Sequence, residues 1–557
     1  MRRLLSAVSI LALSLSCNAA FAQSAAQDPG QDSGLAAIDA ERMNQAVRVL
    51  ASDEFEGRGP VSAGEEKTVE WLAEQFRAAG AEGGGPDGSF FQTAQLSRTR
   101  QDGPATVTAS AGGRTLTFER GPDVLVSSDR PTNHITVTDA PIVFVGYGAT
   151  APERQWDDFK DVDVRGKVIV VLVNDPDFEA ADGDPVAGKF DGQAMTFYGR
   201  WTYKFQEAGR RGAAGVLVVH ETAGAGYPWS VLQNSSAAPK FDIVRANPDA
   251  ERAPFQGWIQ RAKAEELFSA AGLDFVALKD AARRADFRPV ELSGATMSVD
   301  FGQIADRVQT RNVLARIPGA EHPDETVMYG AHWDGYGVGT PEASGDNIYN
   351  AAVDNATGVA ALLELAHAFN AGPRPKRSIV FAAWSGEEAG LLGSTYYAAN
   401  PVWPLEKTVA NINVDSLLPG TEIDPNVVVI GKGKNQLDAV LERHASATGR
   451  TLIADPAPQA GAFYRSDHFP LAIQGVPALF PAAGFTGASA ASRDYVENRY
   501  HQPSDEWDET WRMDAAAADV ALIYAVGRDL ADSDAWPEWN ADAEFAGARA
   551  ASAAERR

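Results

Sequence analysis

The chain has 557 residues, 45% of them hydrophobic, with 12 Trp and 25 Phe, and 75 Asp+Glu against 49 Lys+Arg give a net charge of −26. That length points to two domains with substantial cores. The acidity argues against nucleic acid or an anionic membrane as the main partner.

Residues 1–22 read as a secretory signal. Arg2 and Arg3 precede an apolar run from Leu4 to Leu15 that is too short to span a bilayer, and Ala20-Phe-Ala22 is a small-x-small cleavage pattern. The protein is therefore expected to be exported, periplasmic or extracellular. Cys17 is the only cysteine and falls inside this signal, with a lipoprotein site there as the lesser alternative. A mature chain without cysteine must build any metal site from His and carboxylates. Residues 23–35 are small and polar and are expected to be a disordered start.

Helical spacing of apolar residues predicts helices over 36–50 and 65–79, separated by the turn-rich Asp53 to Pro60 loop. Alternation from Phe90 to about Val126 predicts antiparallel strands. Near Thr136 the pattern changes to β-rich runs at 140–148, 166–173 and 212–219, with an amphipathic helix from Trp201 to Arg211. This stretch, 136–297, has no cluster of metal-ligating residues; His220 in it reads as structural. It is expected to be an inserted domain with its own sheet, dividing a catalytic domain into 36–135 and 298–535. After Met297, strands are predicted at 311–317, 326–331, 378–384, 408–414, 426–431 and 477–481, and helices at 355–370, 388–399, 435–448 and 512–532. Strands alternating with helices give an α/β fold with a mostly parallel mixed sheet covered on both faces. The Ala-rich end, 536–557, is expected to fray.

Polar residues recur where these apolar runs stop. His332 and Asp334 follow one run, Glu387 and Glu388 another, and Asp415 a third; Asp354 precedes a helix, and His501 lies before the last one. In open α/β sheets, sites form beyond the carboxyl ends of the strands. His332, Asp354, Glu388, Asp415 and His501 are an imidazole and carboxylate set suited to Zn²⁺, less often to Mn²⁺ or Co²⁺. They are too many for one catalytic zinc and suit two metals sharing a carboxylate. Glu387 and Glu388 diverge at a strand-to-helix turn, so one can bind metal while the other faces a water. Asp334 is close enough to His332 to accept a proton from its second ring nitrogen.

His332-Trp-Asp334, Val353-Asp354-Asn-Ala-Thr-Gly358, Gly386-Glu387-Glu388, Asn413-Val-Asp415 and Tyr500-His501-Gln-Pro together resemble the M28 family of zinc peptidases. That family includes aminopeptidases, glutamate carboxypeptidases, glutaminyl cyclases and the non-catalytic transferrin receptor. The resemblance covers most of 298–535 and the N-terminal helices. Residues 136–297 resemble the protease-associated domain that several members insert.

The resemblance implies a dinuclear zinc exopeptidase acting on peptides through a metal-bridging water. His332 and Asp415 would hold one of two Zn²⁺, Glu388 and His501 the other, and Asp354 both. Glu387 would be the general base, Asp334 the orienter of His332, and Tyr500 an oxyanion donor. A cis Asp354–Asn355 peptide is also implied. Tyr464, Asp467 and His468 are candidates for the substrate pocket. Removal of N-terminal amino acids is the leading activity. A glutamate-selective carboxypeptidase, which would need arginines such as Arg200, Arg465 or Arg493 to converge, and a non-catalytic binding protein are the alternatives.

Overall fold

The computed structural model describes residues 33–236, 238–339, 341, 345–482 and 487–556. The signal sequence, Cys17 and residues 23–32 lie outside them. Among the described residues no helix is long and apolar enough to cross a membrane.

The part of the chain after Met297 is built on four parallel strands, in the spatial order Ala478–Ala482, Thr408–Asn413, His322–His332 and Arg377–Trp384. Every residue of Arg377–Trp384 and of Thr408–Asn413 is buried. This is what covering both faces of a parallel sheet requires, and it explains their unbroken apolar character. Helix Thr357–Ala371 is buried almost throughout, and with Ala40–Leu50, Ala63–Ala78 and Asp514–Asp532 it forms the largest core. Because the central strands run parallel, His332, the Ser385 turn and Asp415 all emerge at one end of the sheet.

One strand departs from the expectation. Instead of a short element at 311–317, Val290–Ile317 forms a single long strand. Its C-terminal end pairs with Arg377–Trp384, and its N-terminal half pairs with His134–Phe144. Phe91–Ala111 accompanies it along most of its length as a ribbon. His134–Phe144 then leads into the parallel run Val168–Leu172, Gly215–His220 and Phe255–Gln260. The strands of residues 136–297 thus continue the sheet that carries His322–His332 and Arg377–Trp384, which contradicts an insert with a sheet of its own. Residue 136 lies inside a strand, not at a boundary. The core of the segment also takes Val107, Ala109, Phe118 and Val124 from before it. Its apolar clusters nevertheless remain distinct from the largest core.

Both expected loose ends are ordered where described. The Ser33 hydroxyl donates to the Ala371 carbonyl, and Leu35 packs on the main core. In 536–557, Trp539 and Phe545 pack with Phe463 and Phe469, and the buried Arg549 donates to the carbonyls of Thr408 and Pro537. A few aromatic anchors hold this tail despite its alanine-rich composition. The helix expected at 388–399 begins only at Leu392, because Gly386, Gly390 and Leu391 adopt positive φ of 68°, 114° and 59° in the preceding turn.

Arg58, in the Asp53–Pro60 loop, is fully buried and clamps the site end of the sheet. It donates to the carbonyls of Trp333 (2.8 Å), Leu50 (2.7 Å), Asn350 (2.8 Å) and Ala351 (2.7 Å). Burial lowers its guanidinium to about 10, with Asp505 and Asp334 opposing the shift, so it stays charged at neutral pH. Lysine offers a point charge without the planar fork and cannot reach all four carbonyls. Arg58→Lys and Arg58→Met should each lower the unfolding free energy, measured in urea, by at least about 3 kcal/mol, since each orphaned buried acceptor costs roughly 1–3 kcal/mol. A loss below about 1 kcal/mol would show that the clamp is dispensable.

Candidate metal centre

The ligand candidates assemble as two triads at the carboxyl ends of the strands. His332, Asp354 and Asp415 form one, and Asp354, Glu388 and His501 the other; within each, one ligand atom per residue lies within 4.8 Å of the others. Asp354 divides its oxygens between them. Oδ1 is 3.1 Å from His332 Nε2, and Oδ2 is 3.2 Å from His501 Nε2. Asp415 Oδ1 stands 3.5 Å from His332 Nε2, and Glu388 Oε2 stands 3.5 Å from His501 Nε2.

These donor atoms fit a bound cation. His332 Nδ1 lies 3.1 Å from the Asp334 backbone carbonyl, which can only accept, so Nδ1 carries the proton and Nε2 turns a lone pair toward two carboxylates. The Asp354 Oδ1 facing it is buried and makes no hydrogen bond. Two lone-pair donors aimed at each other in the interior call for a positive charge between them. Burial, opposed by His332 and reinforced by Glu388 and Asp467, pushes Glu387 well above the usual carboxylate range. Burial also raises Glu388 to about 7. Asp354 moves the other way: burial would raise it, but the His332 and His501 imidazoles beside it hold it below its ordinary value. Imidazole and carboxylate donors in triads with one shared carboxylate are a chemistry suited to two zinc ions.

Glu387 lines the adjoining cavity but belongs to neither triad. Asp334 does not act as expected. Its carboxylate is 3.8 Å from His332 Nδ1 and accepts instead from the backbone N–H groups of Glu387 (3.1 Å) and Glu388 (3.4 Å). The residue therefore orients His332 through its carbonyl, and its side chain pins the turn carrying both glutamates.

The Asp354–Asn355 peptide is cis, as expected. Several residues that the motifs did not single out hold this segment. Asp505 accepts from the N–H groups of Val353 and Asp354, each at 3.0 Å, and from the Tyr495 hydroxyl at 3.1 Å. Asn355 Oδ1 accepts from Gly358 N and Ser416 N, and its Nδ2 donates to Val414 O, tying the Asp354 segment to the strand end that carries Asp415. Ser466 donates to Asp415 Oδ2 at 2.8 Å. Ala351, Ser416 and His501 hold left-handed φ values of 52°, 60° and 59°, a conformation costly for side-chain-bearing residues that needs such bracing. Asp505 lies two residues beyond the quoted Tyr500-His501-Gln-Pro stretch; its distance of four residues from His501 was the available signal.

The triads open into a cavity of about 780 Å³. Tyr500 lines it and stacks on His501 with centroids 3.7 Å apart. The inserted segment supplies the facing wall through Arg200, Trp201 and Arg245. Tyr464 contributes to the lining, but its hydroxyl is engaged by Glu544 (2.5 Å) and Lys434 (3.1 Å). Asp467 and His468 do not reach the cavity, which corrects their expected part in the substrate pocket. Asp467 is buried and accepts from Ser394 at 2.5 Å. His468 lies between Phe463 and Phe480, and burial lowers its imidazole to about 3, so it is a neutral core side chain. Of the three arginines, Arg200 and Arg465 line the cavity, whereas Arg493 donates to the Gly487 and Ala488 carbonyls outside it.

Residues 312–525 match the model of Peptidase family M28. A mouse (Mus musculus) aminopeptidase, NAALADL1, is 38% identical over 129 residues, 22% of this chain and 16% of its own length. A glutamate carboxypeptidase 2 homolog of Caenorhabditis briggsae is 33% identical over 135 residues, 23% of this chain and 16% of its own. The similarity therefore spans about a sixth of the length of these relatives. Among solved structures, an aminopeptidase from Aneurinibacillus sp. strain AM-1 aligns over 90% of this chain and 96% of its own, at 17% identity and a TM-score of 0.47. The stretch that matches the Peptidase family M28 model, residues 312–525, holds both ligand triads.

Proposed function

We propose that this chain is a dinuclear zinc exopeptidase that removes amino acids from the N-terminus of peptides. The observation that carries this reading is the pair of triads sharing Asp354, with Glu387 beside them in the cavity and outside both. His332, Asp415 and Asp354 would hold one zinc, and Glu388, His501 and Asp354 the other. Zinc bound there supplies positive charge that polarises a peptide carbonyl and makes water a competent nucleophile at neutral pH. Glu387 takes the proton that the attacking water loses as its oxygen bonds to the carbonyl carbon. When the C–N bond breaks, Glu387 returns that proton to the leaving amine. Asp334 keeps Glu387 and Glu388 pointing apart by holding their backbone N–H groups. Tyr500, packed on His501 at the cavity edge, is placed to donate to the developing oxyanion. Arg200, Trp201 and Arg245, from the segment 136–297, would face a bound substrate across the cavity. The N-terminal signal pattern supports a periplasmic or extracellular setting for this activity.

A glutamate-selective carboxypeptidase is favoured by one specific observation. Arg200 and Arg465 line the same cavity and have no acidic partner among the described residues. Burial and the neighbouring Arg465 charge lower the Arg200 guanidinium to about 10. Two unpaired guanidinium groups suit a substrate carboxylate. Comparing amino-acid anilides with amino-blocked peptides ending in Glu separates the readings. Turnover of the anilides alone is expected, and turnover of the blocked peptides alone would establish the carboxypeptidase.

The division of labour between the adjacent glutamates is directly measurable. Glu387→Gln should retain about two zinc ions per chain. Its kcat should fall by about 10⁴-fold or more, at or above the top of the range for general base catalysis. Glu388→Gln should instead lose one zinc. Zinc loss in Glu387→Gln, or near-parental turnover, would reverse the assignment. Asp334→Asn leaves both zinc sites formed and should cost roughly 10–100-fold in kcat, the effect of disturbing a group that orients its neighbours.

A further inference from the structure

The two histidines of the centre are oriented by different means. His332 Nδ1 faces a backbone carbonyl, that of Asp334, which no side-chain substitution removes. His501 Nδ1 faces a side chain: the Tyr336 hydroxyl, at 3.0 Å. Tyr336 comes from the segment just after His332, so it reaches across from one triad to the other. Its ring packs edge-on against His501, with centroids 4.9 Å apart, and against Tyr349 at 5.8 Å. Tyr500 stacks on His501 as well, so the imidazole is held between two aromatic rings. The Glu388 carboxylate lies beside the same Tyr336 hydroxyl.

We propose that Tyr336 is the positioning residue of the His501–Glu388 half of the centre, fixing the His501 tautomer. This rests on the dinuclear reading above. A neutral imidazole has one N–H and one lone pair. When Nδ1 donates its proton to the tyrosine oxygen, the Nε2 lone pair points at Asp354 Oδ2 (3.2 Å) and Glu388 Oε2 (3.5 Å), where a metal ligand must point. The hydroxyl's own proton is then available to Glu388, so one group orders both ligands specific to this half. Without that oxygen nothing favours the Nδ1–H form. The Nε2–H form would hydrogen-bond Asp354 and offer the metal no lone pair. His332 keeps its carbonyl partner throughout, so the loss falls on one half of the site only.

Tyr336→Phe isolates the effect because it removes one oxygen and keeps the ring that packs on His501 and Tyr349. Zinc binding is measured on the full chain by competition with a chromophoric chelator, and each half is followed separately by visible spectroscopy after cobalt substitution. In Tyr336→Phe, one of the two metal ions should bind roughly 10–100-fold more weakly, the other within about twofold of the parent, and the cobalt spectrum of the weakened half alone should change. Tyr349→Phe, which alters only the packing neighbour, should leave both affinities in place. Two ions held at parental affinity in Tyr336→Phe, or both weakened equally, would overturn the assignment while the dinuclear reading stands. A parent chain that binds no zinc would overturn both.

Discussion

Asp354 lies buried between two imidazoles, one facing each of its oxygens, and the neighbourhood is organised to keep it there. Charge makes this arrangement demanding. Asp334, Glu387, Glu388, Asp415 and Asp467 crowd the same buried end of the sheet. Without a cation, burial drives several of these carboxyls toward their protonated forms. Two divalent ions would restore them to carboxylates and remove much of the repulsion, so metal binding and stability of this region are linked.

The architecture meets that demand with rigid parts. Parallel strands bring His332, the Glu387–Glu388 turn and Asp415 to one edge, and the buried helix Thr357–Ala371 seats Asp354 above them. A carboxylate, a side-chain amide and one guanidinium fix the loops between. Asp505 takes the Asp354 backbone, Asn355 joins that segment to the Asp415 strand, and Arg58 holds the carbonyls of Trp333 and Ala351 on either side. Charged and polar groups at this depth are tolerated because each of these bonds is internal and satisfied. Glu387 faces the cavity together with Asp354, Glu388, Asp415 and His501.

Much of this was legible in the chain. Apolar runs ending in His, Glu and Asp identify the strand ends and the ligands, since a two-sided parallel sheet forces both features. What stayed hidden depends on contacts across long separations. Arg58 meets Trp333 from 275 residues away, and Tyr336 meets His501 across 165. Neither position has a local pattern that announces its partner. Asp334 was correctly placed beside His332, but proximity in sequence could not distinguish its carbonyl from its carboxylate. The long Val290–Ile317 strand was read as a short one because residues 304–309 in its middle have no buried position to mark a strand face. The ordered tail was missed because its alanines dilute the Trp and Phe anchors.

Anomalous diffraction at the zinc edge, from crystals of the full chain grown with zinc, tests the shared-carboxylate centre most directly. Two anomalous peaks should appear, one beside His332 and Asp415 and one beside Glu388 and His501, each within coordinating distance of a different Asp354 oxygen. A single peak, or two peaks of which only one touches Asp354, would contradict the centre described here.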